Sequence, residues 1–512
     1  MSERRTWNSI RNVFFSVSSS LLILLVSFAN RTIFIHMLSE EYLGLNGLFS
    51  NILSFLSLAE LGIGSAVNYA LYKPLKDKNI EKIRSLMKLY RGLYIRIGCV
   101  VLVIGGLLTP FLSFLIKDMP KDIEYIYLYY IMFVINSGIS YFYTYKRSLI
   151  ICDQKEYISY VVSTVFRVLL TVFQIMVLFL SNSYLLYLVT MIVCTICENI
   201  VISRKANQLY PFIMGKNIQD VSSAEKKEIF SNIYALIFHK IGAVVVYSTD
   251  NIIISKYVGL AAVGLYSNYT LIINSINSIL GKIFNTLVAS VGDLMVDDDS
   301  SHSELVFERI LFADMWLYGF TAICFLCFIQ PFISLWIGDS YLLDMEVLFL
   351  YVCSYYITGM RKTVWIFKDA AGIYRQDRYK PVIEAVLNII FSIPLAVEFG
   401  VAGVLAGTIM STMIMPFWFE GYVLFKECFR SRYRNYILRQ GKYAFVLFII
   451  SGITYFCCSF FSGKGLLSFV IKVMLCVAVS NLCLFLIYHR TKEFKYYYNL
   501  IRQLRDKKYR DR

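Results

Sequence analysis

Apolar stretches about 20 residues long alternate with short polar joints along almost the whole chain, a period set by the roughly 30 Å thickness of a bilayer core. Reading the stretches in order predicts about fourteen helical spans, near 13–37, 43–71, 90–116, 123–150, 157–181, 184–204, 229–255, 261–291, 310–335, 343–367, 381–399, 402–425, 443–461 and 466–488. Ser181-Asn182-Ser183 and Gly400 mark two of the tightest turns. The first stretch lacks a small-residue cleavage site before Arg31 and reads as a retained span.

A second pattern lies on top of the first. Asn12, Val26, Asn30, Ile33, Gly44 and Leu45 recur without a gap as Asn232, Val246, Asp250, Ile253, Gly264 and Leu265. Shared apolar composition does not generate matched Asn and Gly positions, so the frame reads as an internal duplication. It predicts a six-helix lobe at 1–205, a linking loop at 206–228 and a second six-helix lobe at 229–428. Two further helices fall at 429–489, followed by a basic tail at 490–512.

Composition agrees with a membrane chain. Of 512 residues, 58% are hydrophobic and 17% charged, where a soluble chain carries about a quarter charged residues. Mean hydropathy is +0.60. The net charge of +15 follows the topology and does not indicate nucleic acid. With the N-terminus and every second loop on one side, that side holds 38 Lys and Arg and the other holds 4. The positive-inside rule then puts both termini in the cytoplasm. The acidic loop Asp293–Glu304 fits least well. The tail, with Tyr496-Tyr497-Tyr498 among its Lys and Arg, suits an anionic lipid surface.

Ionisable groups inside apolar spans are costly, about 2.5–3.5 kcal/mol each on insertion scales, and point to a polar cavity or to pairing. Glu60 and the Arg361–Lys362 pair lie mid-span, and Arg31, Arg96, Arg167, Lys240, Asp250, Lys282, Asp314 and Glu384 join them. Guanidinium groups grip phosphate oxygens in pairs and lysine adds a mobile charge. Arg31, Lys240, Arg361 and Lys362 are therefore the expected substrate-binding residues, for a ligand carrying phosphate or diphosphate. Glu60 and Asp250 are the acids expected to couple transport to a proton, a sodium ion or the membrane potential, unless they serve as structural ion pairs. Asn51, Asn68, Asn136, Asn268, Asn274, Asn277 and Asn388 suit sugar hydroxyls, and Tyr69, Tyr269, Tyr355 and Trp365 suit sugar faces, although taken singly each fits interhelical packing better. Cys194–Cys197 and Cys324–Cys327 have the Cys-x-x-Cys spacing but no histidine or second pair nearby, so no metal is expected. No nucleotide-binding, hydrolase or paired metal motif is present, and no cofactor is expected.

Four stretches carry a family resemblance. They are 58–66 with 71–75, Thr249–Ser255 with Val263–Asn268, Lys368–Tyr374 with Asp377–Pro381, and the glycine-rich 400–408. In this order and spacing the chain resembles the Wzx-type polysaccharide flippases of the multidrug/oligosaccharidyl-lipid/polysaccharide exporter superfamily. The resemblance implies an all-α, MATE-like membrane fold working by alternating access, and a transporter with no enzymatic step. It implies a substrate, an undecaprenyl-diphosphate-linked oligosaccharide repeat unit for capsule, O-antigen or other surface polysaccharide. It also implies a setting among membrane lipids, a polysaccharide polymerase and glycosyltransferases. A lipid II flippase and a multidrug or cation antiporter are the alternatives within the same superfamily.

Overall fold

The computed structural model describes residues 2–510 apart from 61–62, 118, 121–122, 216–218, 297–299, 374–375, 378, 430–431, 462 and 464, and most side chains of 1–17 and 234–247 lie outside the described set. The described chain is all-helical. Eight helical stretches are long and apolar enough to cross a membrane: Ser18–Met37, Ile80–Leu115, Glu156–Ser181, Tyr184–Leu209, Ser301–Trp336, Lys380–Cys428, Tyr433–Ser459 and Leu466–Tyr488. The protein is thus a multi-pass membrane protein.

By internal packing the chain forms two compact units. Unit 1 comprises Met1–Ser267 with Pro381–Ile389 and Ala396–Val404, and unit 2 takes Asn268–Lys380, Ile390–Leu395 and Leu405–Arg512. Packing, not the repeat, sets these bounds.

Unit 1 contains α1 (Ser2–Met37), α2 (Glu40–Leu56), α3 (Ile63–Lys76), α4 (Ile80–Leu108), the short α5 (Leu112–Leu115), α6 (Ile126–Cys152), α7 (Glu156–Ser181), α8 (Tyr184–Leu209) and α9 (Ser223–Tyr257). It also holds the start of α10 (Leu260–Asn285). Local signals fix the ends. Asn79 accepts a hydrogen bond from the Lys82 amide at 3.0 Å and caps α4. Asn182, at φ 47°, closes α7 in the left-handed conformation, and Ser183 caps α8 at the turn expected from sequence. Ser222 caps α9 through the Glu225 amide, and its hydroxyl also donates to the Glu225 carboxylate. The span expected at 43–71 is broken: Ser57–Glu60 is a 3₁₀ turn between α2 and α3. Close crossing of α4 and α6 depends on Gly98, Gly105 and Gly138, where a Cβ would strike Phe142, Val134 and Leu102.

Unit 2 holds the rest of α10, then α11 (Leu287–Val296), α12 (Ser300–Trp336), α13 (Met345–Met360) and α14 (Lys362–Ala371). It continues with parts of α15 (Lys380–Ile414), then α16 (Pro416–Cys428), α17 (Tyr433–Ser459), α18 (Leu466–Tyr488) and α19 (Lys492–Arg510). α15 is two helices joined at Gly400, whose φ of 57° and ψ of −131° reverse the helix where the sequence places a turn. Gly407 then presses against the Ser392 backbone, as a smooth glycine face requires. The span expected at 343–367 is also broken, at Arg361 between α13 and α14. Phe307, Phe367, Phe425, Phe429 and Tyr436 form an aromatic core, with ring centroids 5.2–5.8 Å from that of Phe307 in edge-on or tilted pairs. The tail helix α19 is moored: Arg439 bridges Glu308 at 2.7 Å and Glu493 at 3.3 Å, and the Tyr497 hydroxyl donates to the Arg309 carbonyl at 3.1 Å.

Candidate functional site

The break at Arg361 organises the densest group of charges in unit 2. A helix start leaves backbone N–H groups without intrahelical partners. At α14 one of these, the Thr363 amide, donates to Asp314 Oδ2 at 3.2 Å, and the Thr363 hydroxyl donates to the same oxygen at 2.8 Å. Asp314 is fully buried and supplies the negative charge that a helix N-terminus favours. Gly359, just before the break, leaves room for the Tyr318 ring.

Arg361 points to α16. Its Nε and Nη2 donate to Glu420 Oε2 and Oε1 at 2.9 and 3.0 Å, a two-pronged pair with both residues buried, at 5% and 1% exposure. Trp365 Nε1 donates to Glu420 Oε2 at 2.9 Å, and Lys380 Nζ pairs with Glu420 Oε1. Lys362 is half-buried with its Nζ 4.6 Å from the Trp365 ring centroid. Lys368, also buried, pairs with Asp377. Four cations (Arg361, Lys362, Lys368 and Lys380) thus gather around three acids (Glu420, Asp314 and Asp377).

An apolar crevice of about 1090 Å³ runs beside this cluster between α12, α13, α15, α16 and α17. Its lining includes Phe349, Met413 and Phe448. It reaches Met360 and Phe417, one and three residues along the chain from Arg361 and Glu420.

Unit 1 contains a chamber of opposite character. It has a volume of about 740 Å³, lies among α1, α2, α6, α7 and α8, and is walled by serine hydroxyls, amides and three charged residues. Arg147 Nη2 donates to Glu198 Oε1 at 2.6 Å, and the Ser163 hydroxyl donates to the same oxygen at 2.7 Å. Asn30 Nδ2 donates to Gln174 Oε1 at 3.2 Å and to the Tyr187 hydroxyl at 3.0 Å. Arg167 stands exposed on the wall.

The residues singled out from sequence are dispersed. Arg361 and Lys362 belong to the unit 2 cluster. Arg31 is half-buried in unit 1, and its Nη1 donates to Ser267 Oγ at 2.8 Å. The Lys240 side chain lies outside the described residues. Glu60 sits in the 3₁₀ turn and accepts from the Tyr94 hydroxyl at 2.6 Å; no Lys or Arg pairs with it among the described residues. Asp250 is half-buried in α9 beside Thr249, whose hydroxyl donates to Asn388 Oδ1 at 3.0 Å. Asn136 lines the polar chamber, whereas Tyr269 and Asn277 hold backbone and side-chain partners within the helix bundle. Among the described residues, no group of three or more Cys, His, Asp or Glu side chains is placed to hold a metal ion.

Glu420 and Glu198 were missed from sequence. Glu420 had a legible signal, since it is an acid inside the predicted 402–425 span. Glu198 had the same signal near the end of 184–204.

No protein-family model and no curated protein sequence matches the chain. Solved structures do. A lipid II flippase, MurJ, in an inward closed conformation superposes with a TM-score of 0.65 at 13% identity, covering 93% of this chain and 99% of that one. An inward-facing multidrug resistance MATE family transporter of the MOP superfamily gives 0.60 at 13% identity, covering 78% and 94%. A MOP superfamily transporter from Pyrococcus furiosus, described as having a binding pocket of reversed polarity, gives 0.53 at 13% identity, covering 80% and 92%. These likenesses establish the class of fold: this is an all-α membrane protein of the MATE-like type. Two of these three structures are described as belonging to the MOP superfamily.

Proposed function

We propose that this protein is a flippase that carries undecaprenyl-diphosphate-linked oligosaccharide repeat units across the cytoplasmic membrane by alternating access, feeding surface polysaccharide synthesis. The observation that carries the reading is the junction in unit 2, where the lining of an apolar crevice includes Met360, the chain neighbour of Arg361. Apolar walls suit an isoprenoid chain, while Arg361, Lys362 and Lys380 suit its diphosphate. Such a junction matches an amphiphile with an anionic head. A cationic drug would meet an excess of positive charge there, which disfavours the antiporter reading.

In this reading Arg361 is held by Glu420 until a phosphate competes for the guanidinium. Two phosphate oxygens replace two carboxylate oxygens, so the cation is never left unsatisfied in a dry site. Arg31 and Lys240 are the further cations that the sequence offers for this role. Glu60 and Asp250 supply coupling to a proton, a sodium ion or the membrane potential, which is worth about 2.3 kcal/mol per charge at 100 mV. Both termini face the cytoplasm, where glycosyltransferases build the substrate, and a polymerase receives it on the far side.

The likeness to MurJ favours lipid II as the second reading. Proteoliposomes separate the two. Purified protein should move an undecaprenyl-diphosphate oligosaccharide to the opposite leaflet, scored by access of an impermeant lectin, and should leave lipid II in place. Movement of lipid II alone, or of neither lipid, overturns the proposal.

A further inference from the structure

A small cleft beside α4 takes no part in the reading above. It has a volume of about 150 Å³. Lys88, Gly92 and Arg96 of α4 form one wall, and Asp220, Val221 and Lys226, at and just before the start of α9, form the other. Asp220 is the one carboxylate on the lining, and Lys88 engages it at 2.8 Å. Three cations therefore face one acid, and exposed Arg96 makes no hydrogen bond or ion pair among the described residues. Gly92 leaves the floor open, since a Cβ there would meet nothing within 4 Å. Arginine and lysine in excess around an open floor suit an anion with several oxygens, and a phosphate has them.

Depth in the membrane narrows the source of that phosphate. No charged residue lies between Arg96 and Lys117, a separation of about 31 Å at 1.5 Å per helical residue. The hydrocarbon core of a bilayer is about 30 Å thick, so Arg96 stands at its edge, level with the headgroups. Arg96, Val100, Val103 and Leu107 follow one another at helical spacing on one face of α4, and all four are exposed. This strip is about 16 Å long, the depth of one leaflet's hydrocarbon. One helix face thus changes at a single residue from cationic to apolar over the length of an acyl chain. A free phosphate uses only the cationic part of that face, and a neutral lipid uses only the apolar part.

We propose that this cleft binds one anionic diacyl phospholipid from the leaflet on the lysine- and arginine-rich side of the membrane. Arg96 and Lys226 hold the phosphate over Gly92, and an acyl chain lies along Val100, Val103 and Leu107. With Lys88 and Asp220 neutralising each other, two positive charges remain, which favours a headgroup of net negative charge over a zwitterionic one. Arg96 belongs to the first sequence repeat and Lys226 to the helix that opens the second, so the lipid ties the two together at this edge. Binding does not depend on what the protein transports.

Native mass spectrometry of the purified full-length protein tests it, with dioleoyl phosphatidylglycerol, dioleoyl phosphatidylethanolamine and inorganic phosphate as probes. Phosphatidylglycerol should fill one distinct site per chain, and phosphatidylethanolamine should bind it much more weakly. Arg96→Gln should weaken phosphatidylglycerol about tenfold, the size of one lost charge-assisted contact, and Arg96→Lys should recover part of it. Gly92→Leu should weaken it too by filling the floor, and unchanged thermal unfolding of the variants in detergent shows that the fold is intact. Any of four results overturns the proposal: equal binding of the two phospholipids, uptake of phosphatidylglycerol with no distinct first site, binding unchanged in Arg96→Gln, or displacement of phosphatidylglycerol by equimolar phosphate. Failure of the proteoliposome assay for every lipid-linked glycan would refute the flippase reading and leave the phosphatidylglycerol result standing.

Discussion

Gly44 and Gly264, equivalent positions of the two halves, pack against each other's helix in a reciprocal way. A Cβ on Gly44 would collide with the carbonyl of Leu260, and one on Gly264 with the carbonyl of Glu40. Each obstructing carbonyl lies four residues before the partner glycine. A Cβ on Gly264 would also come to 3.4 Å from the Gly44 nitrogen. The sequence repeat is thus matched by a reciprocal contact in space, with the first turns of α2 and α10 crossing where neither has a side chain.

That contact predicts that Gly44→Ala and Gly264→Ala behave alike. Each forces two backbones apart, and overpacking of this kind costs about 1–3 kcal/mol. Thermal unfolding in detergent should show similar losses for both. A tolerated Gly264→Ala beside a damaging Gly44→Ala would contradict the reciprocal crossing.

Glu420 satisfies Arg361, Lys380 and Trp365 at once. Its replacement strands buried Arg361 and partly buried Lys380. Glu420→Ala should therefore destabilise the protein by about 3–5 kcal/mol, the cost of breaking one side of a buried pair. The double change Arg361→Met with Glu420→Leu should be milder than Glu420→Ala alone. Denaturation of the three proteins decides it, and a double variant less stable than Glu420→Ala would show that the pair is valued for something beyond mutual neutralisation.

A hinge-like prediction concerns Gly400. Its φ of 57° combined with ψ of −131° is open to glycine and strained for other residues. Gly400→Ala should lower stability by at least about 1 kcal/mol even though no side chain blocks a Cβ closer than 3.9 Å. Stability equal to the parent in the unfolding experiment would mean the turn relaxes to a negative φ.

Acidification should release the segment before α9. Lys88 binds Asp220 at 2.8 Å, and Lys82 pairs with Glu225. The lysine contacts hold both carboxyls below their ordinary values. Lowered carboxylate values stabilise the folded arrangement above the ordinary carboxylate range, near pH 4, and the contribution vanishes as pH falls through the still lower folded values. Proteolysis or hydrogen exchange across 219–227 should be protected at pH 7 and lose protection below about pH 4. Lys82→Ala with Lys88→Ala should remove protection at pH 7, and high salt should weaken it, as expected for exposed pairs. Protection that is flat between pH 7 and pH 3 would assign it to backbone packing instead.

Much of the fold is legible because apolar length and turn chemistry act locally. The Asn182 turn and the Gly400 reversal appear where Ser-Asn-Ser and glycine interrupt the greasy pattern. The breaks after α2 and α13 were not legible, because apolar residues resume on both sides of Glu60 and of Arg361–Lys362, and a charge within a span does not by itself end a helix. There, side-chain partners decide the backbone: Thr363 capped by distant Asp314, and Glu60 held by Tyr94. The same reason limits site reading. Sequence marked Arg361 as an expensive charge, but its partner Glu420 lies 59 positions away, a pairing that no local pattern reports.

The grip of Glu420 on Arg361 also has a bearing on everyday cellular ions. Chloride offers one contact point and no fixed geometry, so it is a poor rival for a carboxylate that bonds through both oxygens. Abundant monovalent anions would then leave the resting junction undisturbed. Under the proposed function, entry would be reserved for a visitor that brings paired oxygens and a second foothold on the molecule, and the geometry of a single ion pair would suppress idle cycling on cytosolic salt.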